Sequence, residues 1–445
     1  MKVMMVSLGC DKNRVDAEMM LGTLAARGFE LTEDENEAEA VVVNTCCFID
    51  DAKKESIEML LEMARLKETA ALRILVAAGC LAVRYKEDIL KQIPEVDAVV
   101  GVTAEDKIAD VLTEAAEGMT SVRSRDISAD PRWEAERLLP TGSVTAYLKI
   151  AEGCDKNCTY CVIPKVRGHY RSYPMESLIT QAEALAGAGV KELIVVAQET
   201  TRYGEDITGH KCLHELLRKL CAVEGLVWIR VLYAYPEEIY PELLDVMAEE
   251  PKICHYLDMP VQHSSDRILK RMNRRCTRES LVEAVKAVRA RIPDIVLRTT
   301  LLTGFPGETE EDVEDLKAFV TEMRFDHLGV FAYSREDGTP AARMKEQVPA
   351  RVRRKRRDAL MALQQGISLE KCREWVGRTA DVMIEGFLPD EGVYVGRTYA
   401  DIPDVDGYVF IDTSWELMAG DFVRVRITEA SEYDLIGVID DESAE

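Results

Sequence analysis

Residues 153–168 read GCDKNCTYCVIPKVRG and place Cys154, Cys158 and Cys161 in a C-x3-C-x2-C arrangement. Thiolates are ligands of zinc and of iron–sulfur clusters, and a fully ligated site of either kind takes four protein ligands. The next cysteine along the chain is Cys212, so the motif supplies only three ligands. Its polar surroundings are typical of a loop and not of a hydrophobic core. The motif therefore predicts a metal site with one open coordination position, and zinc with a remote fourth ligand is the alternative.

The segment around this motif alternates apolar runs with helical patterns, which predicts β/α units. The runs are VTAYLKI, VKELIVVAQ, LVWIRVLY, CHYLDMPV, DIVLRTTLLTGF and DHLGVFAYS. Because these six units are too few for a closed eight-stranded barrel, we predict a partial (β/α)6 barrel over residues 140–372. The cysteine motif follows the first strand, at the carboxyl-end mouth where such folds place their chemistry.

Residues 1–117 show the same alternation, with the apolar runs KVMMVSLGC, AVVVNTC, RILVAAGC and VDAVVG. We predict an amino-terminal parallel α/β domain. Three of the runs end in Cys10, Cys46 and Cys80, and the carboxyl ends of parallel strands meet at one edge of a sheet. We therefore expect three converging thiols. Cys47 adjoins Cys46, and since successive strand residues point to opposite faces, at most one of the two should face that edge.

The other cysteines show no ligand-like grouping in the sequence. We interpret them as ordinary buried or surface thiols: Cys212, Cys221, Cys254, Cys276 and Cys372.

The stretch ISADPRWEAERLLPTGS at 127–143 is polar with two prolines and is typical of a linker, which we place at residues 118–139. Residues 373–441 contain five short strand patterns divided by Gly, Pro and Asp, which predicts a small β-barrel of the oligonucleotide-binding type. The segment 374–445 has 4 Arg and no Lys against 18 Asp and Glu, a formal charge of −14. Such a surface repels a phosphate backbone and attracts a basic protein. The basic run RVRRKRR at 351–357 is interpreted as a solvated helix face or, alternatively, as a contact with RNA or a cofactor.

The whole chain has 445 residues and a formal net charge of −24. No apolar run approaches the roughly 18 residues of a membrane helix, and the start MKVMMVSLGCDKN lacks a signal-peptide cleavage region. We therefore expect a cytoplasmic protein without a membrane partner. Thiols stay reduced in that compartment, so the 12 cysteines predict metal sites and core positions instead of disulfides.

The motif after the first strand resembles that of the radical S-adenosylmethionine (SAM) enzymes. The resemblance implies a [4Fe–4S] cluster on Cys154, Cys158 and Cys161, with SAM on the open iron. In that superfamily, one electron cleaves SAM to methionine and a 5′-deoxyadenosyl radical, which abstracts hydrogen from an unactivated carbon. No catalytic residue beyond the cluster ligands is predicted.

The local sequences SLGCDKN, NTCCF and AAGCLAVRY are similar to the amino-terminal domain of the methylthiotransferases, a radical-SAM family. The resemblance implies a second, auxiliary [4Fe–4S] cluster on Cys10, Cys46 and Cys80, whose open iron binds a sulfur species. The NTC match favours Cys46 over Cys47. The resemblance covers nearly the whole chain and implies that the terminal barrel is a TRAM domain.

Several stretches resemble the branch of that family that modifies the small-subunit ribosomal protein uS12: SLGCDKNRVDAE, AQETTRYG, YLDMPVQHSSDRILKRMNRR, GFPGET and GRTYADIPDVDG. This implies methylthiolation of an aspartate β-carbon of uS12, free or in the small subunit, with two SAM molecules and two clusters. It also implies an electron donor such as flavodoxin or ferredoxin. Another branch modifies adenosine in transfer RNA, and the charge of −14 on the terminal segment disfavours that substrate.

Polar residues at later strand ends are candidates for the SAM pocket: Gln198, Glu199, Gln262, His263 and Thr300. Strand-end hydrogen bonding or helix capping is the alternative role for each. The GFPGET stretch at 304–309 is interpreted as a tight turn or as a backbone approach to SAM. Two rival functions remain, a transfer-RNA methylthiotransferase and a non-catalytic iron–sulfur or zinc protein that binds ribosomes.

Overall fold

The computed structural model describes residues 1–129 and 136–440, organised around two six-stranded sheets and a closed five-stranded barrel. The predicted fold class is confirmed: a parallel α/β domain, a partial barrel and a small terminal β-barrel follow one another along the chain. Residues 130–135 of the predicted linker and residue 441 of the predicted terminal domain lie outside the described residues. Within the described ranges, no helix is long and apolar enough to cross a membrane.

The amino-terminal sheet is parallel throughout. Its strands are β1 (Lys2–Ser7), β2 (Glu30–Leu31), β3 (Ala40–Thr45), β4 (Ile74–Gly79), β5 (Ala98–Val100) and β6 (Ser121–Arg123), in the order β2-β1-β3-β4-β5-β6. The helices are α1 (Asp11–Ala26), α2 (Asp50–Thr69), α3 (Cys80–Tyr85), α4 (Glu87–Gln92) and α5 (Ile108–Ala116), with a 3-10 turn at Glu105–Lys107. The edge strands β2 and β6 are too short to give a sequence pattern and were not among the predicted runs.

The apolar run of β3 follows from helices on both faces of the sheet. Val41 and Val43 pack in the core beneath α2, α3 and α4. Ala40 and Val42 pack in a second core with α1 and α5. Alternate residues of one strand thus enter different cores, and all six residues of β3 are buried.

The central sheet is also parallel, in the order β14-β13-β12-β11-β10-β7, which confirms the predicted partial barrel. Its strands are β7 (Thr145–Lys149), β10 (Glu192–Val196), β11 (Trp228–Val231), β12 (Ile253–Asp258), β13 (Val296–Thr303) and β14 (His327–Ala332). A separate two-stranded sheet, β8 (Ala151–Glu152) with β9 (Arg171–Ser172), brackets the cysteine motif and was not predicted.

The longer helices of this domain cover the outer face of the sheet, whereas the short α6 packs against α3 of the amino-terminal domain. The helices are α6 (Ile163–Val166), α7 (Met175–Gly187), α8 (Glu205–Thr208), α9 (Leu213–Cys221), α10 (Pro241–Glu249), α11 (Asp266–Arg271), α12 (Arg278–Arg291), α13 (Glu310–Met323) and α14 (Ala350–Arg373), with 3-10 turns at Pro236–Glu238 and Ala341–Arg343.

The basic run 351–357 lies in the first turns of α14. One side of it is solvated, as the first interpretation expects, but Arg356 is buried and pairs with Glu308 and Glu310 at 2.9 and 2.7 Å. Glu308 in turn accepts the backbone N–H of Gly304 at 2.8 Å. The inner side of the basic run therefore holds the GFPGET turn against the barrel.

The terminal barrel closes in the order β15-β16-β17-β19-β18, from β15 (Thr379–Leu388), β16 (Val393–Arg397), β17 (Val409–Ile411), β18 (Phe422–Ala430) and β19 (Leu435–Ile439). It packs against the inner face of the central sheet, where Met383 joins Ile194 and Tyr256 in one buried cluster. Phe422 also meets Trp228 edge to face, with ring centroids 4.8 Å apart.

Candidate functional site

Three predicted ligands leave three adjacent strands of the amino-terminal sheet. Ser7 of β1 lies beside Asn44 of β3, and Thr45 of β3 lies beside Gly79 of β4. Cys46 and Cys80 follow directly on the latter pair, while Cys10 is the residue before α1. Neighbouring strands are about 4.8 Å apart, so the three thiols share one carboxyl edge. Cys10 and Cys80 also lie at the amino termini of α1 and α3.

Gly9 shapes this edge. Its φ is +91°, and a Cβ there would lie 2.6 Å from Cys46 Cβ and 2.9 Å from Cys46 Sγ. The loop before Cys10 therefore touches the Cys46 thiol only because residue 9 has no side chain. Three thiols around a cradle that a Cβ would fill are a donor set that fits an iron–sulfur cluster.

Cys46 and Cys47 follow the end of β3 and lie in different surroundings. Cys46 lies against Gly9 near the edge. Cys47 is fully buried in the hydrophobic core between the sheet and α2. This placement supports Cys46 as the candidate ligand.

The second set of predicted ligands lies in the loop between β8 and α6. Cys154 and Cys158 are buried and Cys161 is half-buried. The backbone N–H of Cys154 donates to Gly168 at 3.1 Å, and that of Cys161 donates to Cys158 at 3.0 Å. The preceding Gly153 has φ +79°, and a Cβ there would meet the His169 carbonyl at 2.0 Å. The loop is thus folded tightly around three thiols, a donor set that fits a cluster with one open iron.

Burial raises the pKa of cysteine thiols in both sets. It raises the pKa of Cys154 to about 12 and raises that of Cys161, which the neighbouring Cys158 raises further. Burial also raises the pKa of Cys80, and the nearby Arg167 opposes that rise. Without metal, the thiols of Cys80, Cys154 and Cys161 are therefore protonated at neutral pH, and metal ligation releases those protons.

The predicted SAM-pocket residues divide into two groups. Gln198 and Glu199 lie close to the cysteine motif. The Gln198 amide donates to Glu152 at 3.1 Å, and Lys156 lies 3.6 Å from Glu199. Burial raises the pKa of Glu199 to about 7, although Lys156 opposes the shift.

The other group lies on β13 and the segment before α11. Gln262 has φ +70°, and its backbone N–H donates to Thr300 at 2.8 Å. His263 is fully buried, and its Nδ1 accepts the backbone N–H groups of Ser264 and Ser265 at 2.9 Å. His263 therefore has a capping contact at the start of α11. Its Nε2 has no hydrogen-bond partner among the described residues and lies 3.5 Å from Glu308.

A buried cluster of charged side chains lies between the two cysteine sets, and the sequence did not predict it. It joins Asp16 of α1 to Lys149, Glu152 and Arg167 of the central domain. Glu105 completes it with two buried carboxylate oxygens that have no hydrogen-bond partner within residues 1–129 and 136–440, and burial beside Asp16 raises its pKa well above 4.5. Arg167 lies within the opening cysteine stretch, which was the only sequence signal for this cluster.

A cavity of about 860 Å³ opens beside Cys10. Its walls come from all three parts of the chain and include Tyr147 and Tyr233 of the central domain and Asp404 of the terminal domain. The volume lies within the range of ligand pockets. An exposed segment of a partner could reach the Cys10 edge through this opening.

Cys212 is buried, in agreement with its interpretation as an ordinary thiol. Potential ligand atoms of His210, Cys212 and Glu215 nevertheless lie within 4.8 Å of one another, a local grouping that was not predicted. The Cys212 thiol already donates to the His210 carbonyl at 3.3 Å.

Three family models match the chain. "Uncharacterized protein family UPF0004" covers residues 2–101, "Radical SAM superfamily" covers 148–320 and "TRAM domain" covers 376–439.

Characterised relatives match over nearly the full length. "Ribosomal protein uS12 methylthiotransferase RimO" of Lachnoclostridium phytofermentans is 57% identical, covering 98% of this chain and 99% of that protein. The proteins of the same name from Clostridioides difficile and Geobacter sulfurreducens are 47% and 48% identical, each covering 98% of both chains.

Solved structures share the fold at low identity. The radical SAM methyltransferase TsrM from Kitasatospora setae has a TM-score of 0.56 at 16% identity, covering 76% of this chain and 73% of that chain. The cobalamin-dependent radical SAM enzyme OxsB has a TM-score of 0.50 at 13% identity, covering 82% of this chain and 56% of that chain.

Proposed function

Because the chain belongs to the RimO family of ribosomal protein uS12 methylthiotransferases, we propose that it methylthiolates the β-carbon of an aspartate in uS12. The observation that carries the proposal is the presence of two sites with three cysteines each, which the buried charge cluster of Asp16, Glu152 and Arg167 connects. A structural or electron-transfer protein has no need of two sites that each supply one ligand too few.

The proposed cofactors are SAM and two [4Fe–4S] clusters. Cys154, Cys158 and Cys161 would hold the cluster that binds SAM, and the edge formed by Cys10, Cys46 and Cys80 would hold the auxiliary cluster. When bound, these groups supply one-electron cleavage of SAM and a methylated sulfur. The chain positions the two sites relative to each other, and its buried walls exclude water from the reacting atoms.

We propose Gln198, Glu199, Gln262, His263 and Thr300 as residues of the SAM pocket. Glu199 and Lys156 supply opposite charges close to Cys154, which suits an amino-acid ligand with an ammonium and a carboxylate group. Gln198 Oε1 is a buried polar atom without a hydrogen-bond partner among the described residues, and it is therefore available to a ligand.

The terminal barrel is proposed to dock uS12, free or in the small subunit. Its charge of −14 complements a basic protein and repels transfer RNA. The turn between β15 and β16 carries exposed Asp390 and Glu391 next to exposed Phe387, which combines attraction for basic groups with an apolar contact. The cavity beside Cys10 would admit the target loop of uS12.

The proposed chemistry also requires a source of electrons. Cluster reduction needs a one-electron donor, for which we propose flavodoxin or ferredoxin in the cytoplasm.

We propose domains at 1–117, 140–372 and 373–441 with a linker at 118–139, since the three matched family segments fall inside these bounds.

Mass spectrometry of uS12 and of transfer RNA from cells that lack this protein tests the substrate. We expect uS12 to lose one methylthio group while transfer RNA stays unchanged. The opposite pattern would assign the chain to the transfer-RNA reaction. Reconstituted protein should also release 5′-deoxyadenosine from SAM on reduction, and bound zinc without that product would exclude radical chemistry.

A further inference from the structure

We propose that Arg167 is a positioning residue that donates a hydrogen bond from the radical-SAM domain to Cys80 and thereby raises the reduction potential of the auxiliary cluster. The inference rests on the proposed function, since it takes Cys10, Cys46 and Cys80 to hold that cluster. Arg167 belongs to the stretch 153–168, but it is not one of the proposed cluster ligands.

Arg167 crosses from one cysteine site to the other. It directly follows α6, the short helix after Cys161, yet its side chain is only 2% exposed and ends in the amino-terminal domain. Its Nε donates to Cys80 Sγ at 3.2 Å. The two residues are 87 positions apart in sequence, so the contact depends on the docking of the two domains.

The guanidinium group is held in a fixed orientation. Its Nη1 donates to Asp16 at 2.7 Å and to Glu152 at 3.1 Å, one carboxylate from each domain. Its Nη2 donates to the Asn13 side-chain oxygen. Asn13 is itself fixed, because its amide nitrogen donates to the Leu8 and Thr45 carbonyls at 3.0 Å.

These contacts exceed what an interdomain ion pair requires. Asp16 and Glu152 occupy the terminal nitrogen Nη1, and a lysine could satisfy both of them. Only the planar fork of an arginine also directs Nε at the sulfur while Nη2 is held by Asn13. The geometry therefore points to a requirement at the thiolate in addition to the charge balance between the domains.

A donor and a positive charge at a ligating sulfur change the cluster that the sulfur binds. Hydrogen bonds to cluster sulfurs and local net charge are among the main determinants of reduction potential. Reduction adds negative charge, which a buried cation and its N–H group stabilise strongly in a low-dielectric site. Loss of Arg167 should therefore make the auxiliary cluster harder to reduce.

The test is an EPR-monitored redox titration of full-length holoenzyme carrying Arg167→Met or Arg167→Lys. Addition of SAM identifies the signal of the cluster at Cys154, and the other signal is the auxiliary cluster. Arg137→Lys is the matched control, because Arg137 of the linker also connects the two domains, through a buried pair with Glu18 and a hydrogen bond to the Tyr147 carbonyl. Arg137 has no cysteine among its hydrogen-bond partners in the described part of the chain.

We expect Arg167→Met to shift the auxiliary potential to more negative values and Arg167→Lys, which keeps the charge, to shift it less in the same direction. The SAM-responsive potential and both potentials of Arg137→Lys should stay at wild-type values. An unchanged auxiliary potential in iron-replete Arg167→Lys would overturn the inference, as would an equal shift in the control. If Arg167→Met does not fold, the lysine variant decides. Wild-type holoenzyme with iron for one cluster only would instead contradict the proposed function.

Discussion

Arg397 of the terminal barrel donates to Glu192 of the central sheet at 2.6 Å, and both side chains are fully buried. Arg230 binds the other carboxylate oxygen at 2.8 Å. Glu192 begins β10, so this triad lies at the amino end of the central sheet, opposite the cysteine loop. The barrel is thus anchored behind the site, and its acidic surface is held in a fixed relation to the opening beside Cys10.

Glu192→Gln should destabilise the chain strongly, since it removes the counter-charge that two buried guanidinium groups share. Arg397 then keeps only Glu385, and Arg230 keeps no carboxylate partner in the described part of the chain. Breaking one partner of a buried ion pair typically costs about 3–5 kcal/mol. Urea denaturation measures the loss. Arg291→Ala is the control, because the Arg291–Asp245 pair is well exposed and such pairs contribute about 0–1 kcal/mol. Equal losses in the two variants would refute the anchoring role.

The same triad predicts a dependence of stability on pH. Burial alone would raise the pKa of Glu192, but Arg397 and Arg230 outweigh it and hold the pKa below 4.5. A carboxylate with a lowered folded pKa stabilises the protein above its unfolded pKa, and that contribution disappears as the pH falls through the folded pKa. The difference in unfolding free energy between wild type and Glu192→Gln should therefore be constant above about pH 5 and shrink toward pH 3. A difference that grows on acidification would contradict this.

Gly9→Ala should prevent assembly of the auxiliary cluster and spare the other. The added Cβ would overlap Cys46 Cβ and Sγ. Iron analysis after reconstitution should give about half the wild-type content, since one of two four-iron sites is lost. Gly28→Ala is the matched control, with a similar φ of +80° and no heavy atom within 4 Å of the new Cβ. Full iron in Gly9→Ala would show that the Cys46 edge tolerates the methyl group.

Substitutions of the neighbouring residues Cys46 and Cys47 should have different effects on the iron content. Cys46→Ala removes a thiol at the edge and should lower the iron content to about half. Cys47→Ala only shortens a core side chain and should keep the iron content, with a modest loss of stability of about 1 kcal/mol from the cavity. Iron and sulfide analysis compares the two variants, and the reverse result would move the ligand from Cys46 to Cys47.

The strands were predictable because parallel strands covered on both faces are continuous apolar runs, as β3 and β4 are. The cysteines could be placed because they follow such strands directly. Arg167 could not be paired with Cys80 or Asp16 from sequence, because those contacts span 87 and 151 residues and arise only when two domains dock. The contacts of the buried side of the basic run on α14 could not be predicted for the same reason.

The most direct test of the central claim combines reconstituted protein, SAM and a low-potential reductant with purified uS12 and, separately, with transfer RNA. Mass spectrometry then follows both substrates. The account predicts that uS12 gains one methylthio group in place of one hydrogen, on an aspartate, and that transfer RNA gains none. Unmodified uS12 beside modified transfer RNA, with SAM cleaved in both reactions, would contradict it.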